Sequence, residues 1–236
     1  MNSKQNKKIP KIIHFIWIGD KPMGKLENKA IRTWKKKAKD YEFILWNEKN
    51  FDFSNNEFAT QAFNDKKYAF VSDYIRLSVL AQYGGVYLDT DMFAIDDFNH
   101  IVDDKAELQF APFDDRQIFG TSFIGSVPNQ AFILDALELY ENLAFDSGKM
   151  IANTELLSNL FENDKGKYSE GVVINDKDEI YHPGLHSKMI HVGTASWIEP
   201  NLNRKVNIFL RSKITSKLGL YLLLPIFKLA KMVKTR

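Results

Sequence analysis

Asp89 and Asp91, separated only by Thr90, are the residues of this chain whose type and spacing best suit chemistry. Two close carboxylates repel each other, so a partly buried pair calls for a cation. Oxygen ligands select hard divalent ions such as Mg²⁺ or Mn²⁺, and the same ions neutralise a nucleotide diphosphate. In a chain with 30 acidic residues an Asp-x-Asp also arises by coincidence, as a pair of solvated loop carboxylates. Position favours the first reading. The triplet directly follows the apolar run Val86-Tyr87-Leu88, and open α/β sheets bind ligands beyond the carboxyl ends of their strands. Upstream, Asp73 and Arg76 are spaced to share one helix face. They form either an exposed helix ion pair, worth a few tenths of a kcal/mol, or part of the same pocket.

The elements that would bring these residues together follow from periodicity. Residues 11–18 read as a buried strand and 25–39 as a helix, with Leu26, Ala30, Ile31 and Trp34 on one face. Residues 41–46 read as a second strand, which makes a βαβ unit and a parallel sheet. Asn64 or Asp65 caps a helix over 66–82, and Gly84 and Gly85 end it, since glycine accepts the left-handed cap conformation. A strand over 86–88 then delivers the acidic triplet. Further strands are expected at 107–113 and 119–125. Pro128 opens a helix running to about residue 145, and 153–161 forms another. Short strands are expected at 171–174, 179–181 and 189–192. No linker or internal repeat divides the chain. The pattern predicts one α/β domain over 1–212 and a separate C-terminal segment over 213–236.

The run Ser72-Asp73-Tyr74-Ile75-Arg76, followed by Tyr83-Gly84-Gly85-Val86-Tyr87-Leu88-Asp89-Thr90-Asp91, resembles the sugar-transferase signature of glycosyltransferase family 32. That group includes capsular and exopolysaccharide transferases, and the large clostridial glucosylating toxins share the pattern. The segment from Ile9 to Gly19, Ile-Pro-Lys-Ile-Ile-His-Phe-Ile-Trp-Ile-Gly, is similar to the first strand of the same families. The resemblance implies a GT-A, Rossmann-like nucleotide-sugar fold, a divalent metal (Mn²⁺ or Mg²⁺) and retention of anomeric configuration. By position it implies that Trp17 stacks on the donor base, that Asp73 and Arg76 hold the donor sugar, and that Tyr87 lies near the nucleotide. It also implies that Asp89 contacts the ribose and the metal shell and that Asp91 ligates the metal. Without the resemblance, Trp17 and Tyr87 would be read as core aromatics. His191 and Ser196-Trp197 resemble the family's late His and Ser-Trp segment, and such a His would complete the metal or diphosphate site. Where many relatives carry a Gly-Pro pair, this chain has Asn153-Thr154-Glu155, a departure on the acceptor side. The resemblance implies a nucleotide-sugar donor, with UDP-galactose, UDP-glucose, UDP-N-acetylhexosamine and a GDP-sugar all compatible.

Two rival readings come from other classes. Phosphatases that use the first Asp of Asp-x-Asp as nucleophile place Thr or Val two residues after the second, where this chain has Phe93. A non-catalytic, membrane-docked nucleotide-sugar scaffold would keep the same donor residues without turnover.

Composition adds limits. The chain of 236 residues has no cysteine, which excludes disulfides and thiolate metal sites. No stretch reaches the ~20 apolar residues of a membrane-spanning helix, and no signal peptide is expected. The net charge of +2 hides an asymmetry. Residues 200–236 hold nine basic and no acidic side chains, so the remainder is net negative. The segment 213–236 interleaves Leu218, Leu220, Tyr221, Leu222, Leu223, Leu224, Ile226 and Phe227 with lysines. It reads as an amphipathic stretch lying on an anionic membrane, or as a helix packed on the domain or in a dimer. The whole reading is a cytoplasmic enzyme on the inner face of the membrane, acting on a lipid-linked glycan in bacterial polysaccharide assembly, with no nucleic-acid partner.

Overall fold

A computed structural model describes residues 8–114, 118–146, 148, 151–194 and 201–234. The chain forms two compact units that exchange segments: Met1–Pro22, Asp40–Asp89 and Val102–Asn175 in the first, Met23–Lys39, Thr90–Ile101 and Asp176–Arg236 in the second.

The first unit contains strands β1 (Ile12–Ile16), β2 (Glu42–Trp46), β3 (Gly85–Leu88), β5 (Leu108–Phe110), β6 (Phe123–Ser126) and β7 (Val172–Ile174). Among the described residues they form a six-stranded sheet in the order β2-β1-β3-β6-β5-β7. β1 is parallel to β2 and β3, and β5 is parallel to β7, whereas β6 runs antiparallel to both its neighbours. Helices α2 (Glu57–Asn64), α3 (Tyr68–Tyr83), α5 (Ala131–Glu141), α6 (Asn153–Asn163) and α7 (Lys165–Tyr168) complete the unit. β1 and β3 are buried nearly end to end, as expected for strands with neighbours on both sides and helices above the sheet. An aromatic cluster fills the space under α5 and α6: Phe119 lies 4.1 Å from Phe110 and 4.6 Å from Phe132 between ring centroids, and Phe161 joins them.

The turn from α3 into β3 depends on two glycines. Gly84 has φ +62° and Gly85 φ +97°, and a Cβ on Gly85 would sit 2.7 Å from the backbone oxygen of Ile12. The paired Gly therefore lets β3 leave the helix at once and lie against β1. His14 of β1 locks the same turn. Its Nδ1 accepts from Trp46 Nε1 at 3.0 Å, which leaves Nε2–H to donate to the Gly84 carbonyl at 2.8 Å. Burial lowers the His14 pKa to about 4 against the opposing backbone hydrogen bond, so the ring is neutral.

The second unit contains α1 (Lys25–Lys37), the two-stranded sheet of β4 (Met92–Ala94) and β8 (Met189–His191), α4 (Phe98–Ile101), α8 (Lys177–Ile180), α9 (Leu202–Arg211) and α10 (Lys217–Lys234). Trp34 of α1 is fully buried and donates to Met92 O at 2.7 Å.

Four sequence expectations change. Asn64 and Asp65 close α2 rather than cap the next helix, which starts only at Tyr68, after Lys66 turns at φ +57°. Pro128 lies outside α5: Asn129 takes φ +56° and the Gln130 side chain caps the helix by accepting from Phe132 N and Ile133 N. That helix also ends at Glu141, short of residue 145. Residues 179–181 form no strand. Asp176 caps a helical turn there, accepting from Asp178 N, and local capping outweighs the apolar pattern.

Candidate functional site

In the first unit α3 delivers two charged side chains into a buried place. Asp73 and Arg76 are 8% and 5% exposed, which rules out a solvated surface pair. They meet at 2.7 Å, and Arg76 is anchored further by donating to Thr121 O at 2.9 Å and to Ser72 O at 3.2 Å. At the end of β3, Asp89 lies 3.6 Å from Arg76 and accepts the Tyr87 hydroxyl at 2.7 Å. The guanidinium also stacks over the Tyr87 ring, 4.5 Å from its centroid. One cation thus faces two carboxylates. Burial raises the Asp73 pKa to about 6, although Arg76 pulls it down. Burial pushes the Tyr87 phenol up as well, so it remains a donor.

Asn153, the first residue of α6, is 6% exposed. Its amide favours the ionised form of Asp73, yet neither its oxygen nor its nitrogen has a partner at hydrogen-bond geometry. A buried amide with both functions unpaired costs stability unless a ligand satisfies it. A donor and an acceptor on one planar group match a sugar hydroxyl, which is itself both.

Trp17 follows β1, partly exposed, and its indole N–H donates to Lys21 O at 2.6 Å. This holds the ring in one orientation at the sheet's carboxyl edge. Ser196 and Trp197 lie outside the described residues.

In the second unit Asp91 is 6% exposed. Its Oδ2 accepts from both the backbone N and the hydroxyl of Thr194, at 2.8 and 2.9 Å, and its Oδ1 lies 3.2 Å from His191 Nε2. Burial alone would raise its pKa; His191 and the Thr194 donors prevail and hold it well below the usual carboxylate range. The strand pairing explains the meeting: Met92 is in register with His191 across the antiparallel β4–β8 pair. Arg211 of α9 supports the loop by donating to His191 O at 2.7 Å. A buried carboxylate oxygen and an imidazole nitrogen aimed at each other form the kind of mixed donor set that Mn²⁺ accepts.

Sequence reasoning named Asp73, Arg76, Tyr87, Asp89, Asp91 and His191. The structure brings the first four together in one unit and the last two in the other. It missed Asn153 as a polar partner, and it missed Thr194 and Arg211. Thr194 lies only three residues beyond His191, but nothing in the local pattern couples it to Asp91, 103 positions earlier.

Comparison with known proteins gives these arrangements a context. Residues 24–107 match the family described as a glycosyltransferase sugar-binding region containing a DXD motif. The curated protein "Subversion of eukaryotic traffic protein A" of Legionella pneumophila is 29% identical over 37% of this chain and 18% of its own length. The chain therefore spans less than a fifth of that relative. Among solved structures, "PaToxG Glycosyltransferase" superposes with a TM-score of 0.55 and 22% identity, covering 69% of this chain and 73% of the other. A glycosyltransferase involved in glycosylation of the major capsid of PBCV-1 aligns at a TM-score of 0.47 with 10% identity, over 85% and 98% of the two chains. The mixed sheet with its mostly parallel pairing is the GT-A arrangement.

Proposed function

We propose that this glycosyltransferase, with its DXD sugar-binding region over residues 24–107, moves a hexose or N-acetylhexosamine from a UDP-sugar to a glycan acceptor with retention of configuration. The observation that carries the reading is the buried Asp73–Arg76–Asp89 cluster at the carboxyl end of β3. Asp73 accepts donor-sugar hydroxyls, and the unpaired Asn153 amide supplies a further hydroxyl partner. Arg76 stays charged and is fixed by carbonyls and carboxylates, so it stabilises negative charge without reorganising. Tyr87 orients Asp89 through its hydroxyl. Trp17 stacks on the base, and Ser196 and Trp197 serve as further donor-binding residues.

A Mn²⁺ or Mg²⁺ ion, when bound, neutralises charge on the leaving diphosphate. Asp91 and His191 are suited to hold it. An inverting reaction would need a general base opposite the leaving group. The described acids near the donor pocket are already committed to Arg76 and Tyr87, which favours retention, with the leaving diphosphate accepting the acceptor's proton. The transferase domain is residues 1–212, and 213–236 attaches it to an anionic membrane, where a lipid-linked acceptor in bacterial polysaccharide synthesis would lie. Among the described residues no helix is long and apolar enough to cross a membrane.

The test is a panel of nucleotide sugars assayed for Mn²⁺-dependent hydrolysis. Asp91→Ala is expected to lose at least ~100-fold in rate, on the order of a lost charge-stabilising contact. Full metal-dependent turnover by that variant would remove the proposed site.

A further inference from the structure

Helix α9 is turned inside out. A surface helix of a globular protein points its apolar stripe at the core and its charges at water. Here two of its three cations point inward, Arg204 donating twice to Gly193 O at 3.3 Å and Arg211 donating to His191 O at 2.7 Å, while Lys205 is exposed. The opposite face carries Leu202, Val206 and Phe209, spaced four and three apart, and these are 76%, 49% and 59% exposed. Helix α10 shows a related excess. Leu220 and Leu224 are buried, while Leu218, Tyr221 and Leu222 remain exposed on its other side. The sequence pattern alone marked a basic tail from residue 200 and placed the amphipathic membrane-associating segment only after residue 212.

Cations border the α9 stripe at its carboxyl end, and some come from the opposite end of the sequence. Lys29 of α1 donates to Ser212 O at 2.5 Å, in the turn after α9. The Lys213 ammonium sits over the Phe209 ring, 4.7 Å from its centroid. Arg32, three residues from Lys29 on the same helix face, is exposed. Burial and then the charges of Lys213 and Arg32 disfavour the Lys29 ammonium, so both neighbours repel it. Among the described residues no carboxylate pairs with Lys29, Arg32 or Lys213.

Exposed apolar side chains beside uncompensated cations fit a surface whose outer layer is anionic and whose interior is hydrocarbon. A second copy of the chain fits less well, because a two-fold contact would set this cation cluster against itself. We propose that the outward face of α9, together with Lys29, Arg32 and Lys213, is a docking surface for an anionic lipid bilayer, with Leu202, Val206 and Phe209 entering the headgroup boundary and the three cations holding lipid phosphates. This rests on the membrane-attachment reading above and moves its centre upstream, onto α9 and α1.

The experiment is flotation of the full chain with vesicles of phosphatidylcholine alone and of phosphatidylcholine with phosphatidylglycerol. Donor hydrolysis in solution is measured on every variant as a check of folding. The unaltered chain is expected to float only with the anionic vesicles and to be released by salt. The double variants Lys29→Glu/Arg32→Glu and Val206→Ser/Phe209→Ser are each expected to lose at least ~10-fold in partitioning while hydrolysing donor at the normal rate. Unchanged partitioning of both would overturn the proposal. If only Leu218→Ser/Leu222→Ser releases the protein, the tail attaches the enzyme and α9 does not. If the unaltered chain ignores anionic vesicles, membrane attachment fails altogether. A doubled mass in light scattering that Val206→Ser/Phe209→Ser abolishes would assign the face to self-association instead.

Discussion

On the proposed reading, Asp73 is the side chain whose state decides whether the donor pocket works. It forms an ion pair with Arg76 only as a carboxylate, and burial raises its pKa to about 6. We expect kcat/KM for donor hydrolysis, at saturating Mn²⁺, to fall about tenfold per pH unit below that value, as for loss of one essential ionised group. Asp73→Asn should give a low rate without the inflection, and a wild-type profile flat down to pH 5 would show that Asp73 is not the titrating group. The same shift affects folding in the opposite sense. Between 3.8, the unfolded value, and about 6, the native state keeps a proton that the unfolded chain has released. Stability from this group is therefore fully present below the unfolded value and declines as pH rises through that window. Asp91 differs although it lies in the same motif, because its partners are Thr194 and His191 and its charge is stabilised. The spacing of Asp73 and Arg76 was readable in the sequence. Their burial was not, since an i, i+3 pair looks the same on a wet face as on a dry one.

Element boundaries were readable wherever local chemistry dictates them. The Gly84-Gly85 pair ends α3 and starts β3 because only glycine tolerates both positive φ values and the approach to Ile12 O. Gly85→Ala should destabilise the protein by at least ~2 kcal/mol, combining the left-handed penalty with the backbone clash. In thermal denaturation that is a fall in Tm of at least ~4 °C for a chain of this size, and an unchanged Tm would contradict the geometry. Local pattern misled where two local rules competed. The apolar end of residues 179–181 suggests a strand, but Asp176 caps the turn and makes it helical. Pro128 suggests a helix start, but Gln130 supplies the cap two residues later.

Across the whole chain, long-range packing of aromatics carries the first unit. Phe119 is fully buried and touches Phe110, Phe132 and Phe161, contributed by a strand and two helices. Phe119→Ala should cost ~3–5 kcal/mol, the loss for a buried aromatic leaving a cavity, read as a lowered midpoint in urea; a change below ~1 kcal/mol would mean the cluster is not packed as described. The sequence by itself marked out the candidate chemistry: an acidic pair directly after an apolar strand, a helix carrying Asp73 and Arg76 three apart, and a basic, apolar tail. Those features are legible because each depends on neighbours within a few residues. Tertiary structure alone decided that Arg76 joins Asp73 to Asp89, that Asn153 faces them unpaired, that Asp91 meets Thr194 and His191, and that α9 turns its apolar face outward. These contacts join residues up to 103 positions apart, and they follow from strand register and helix orientation, which balance packing over the whole fold and leave no mark in any short stretch of sequence.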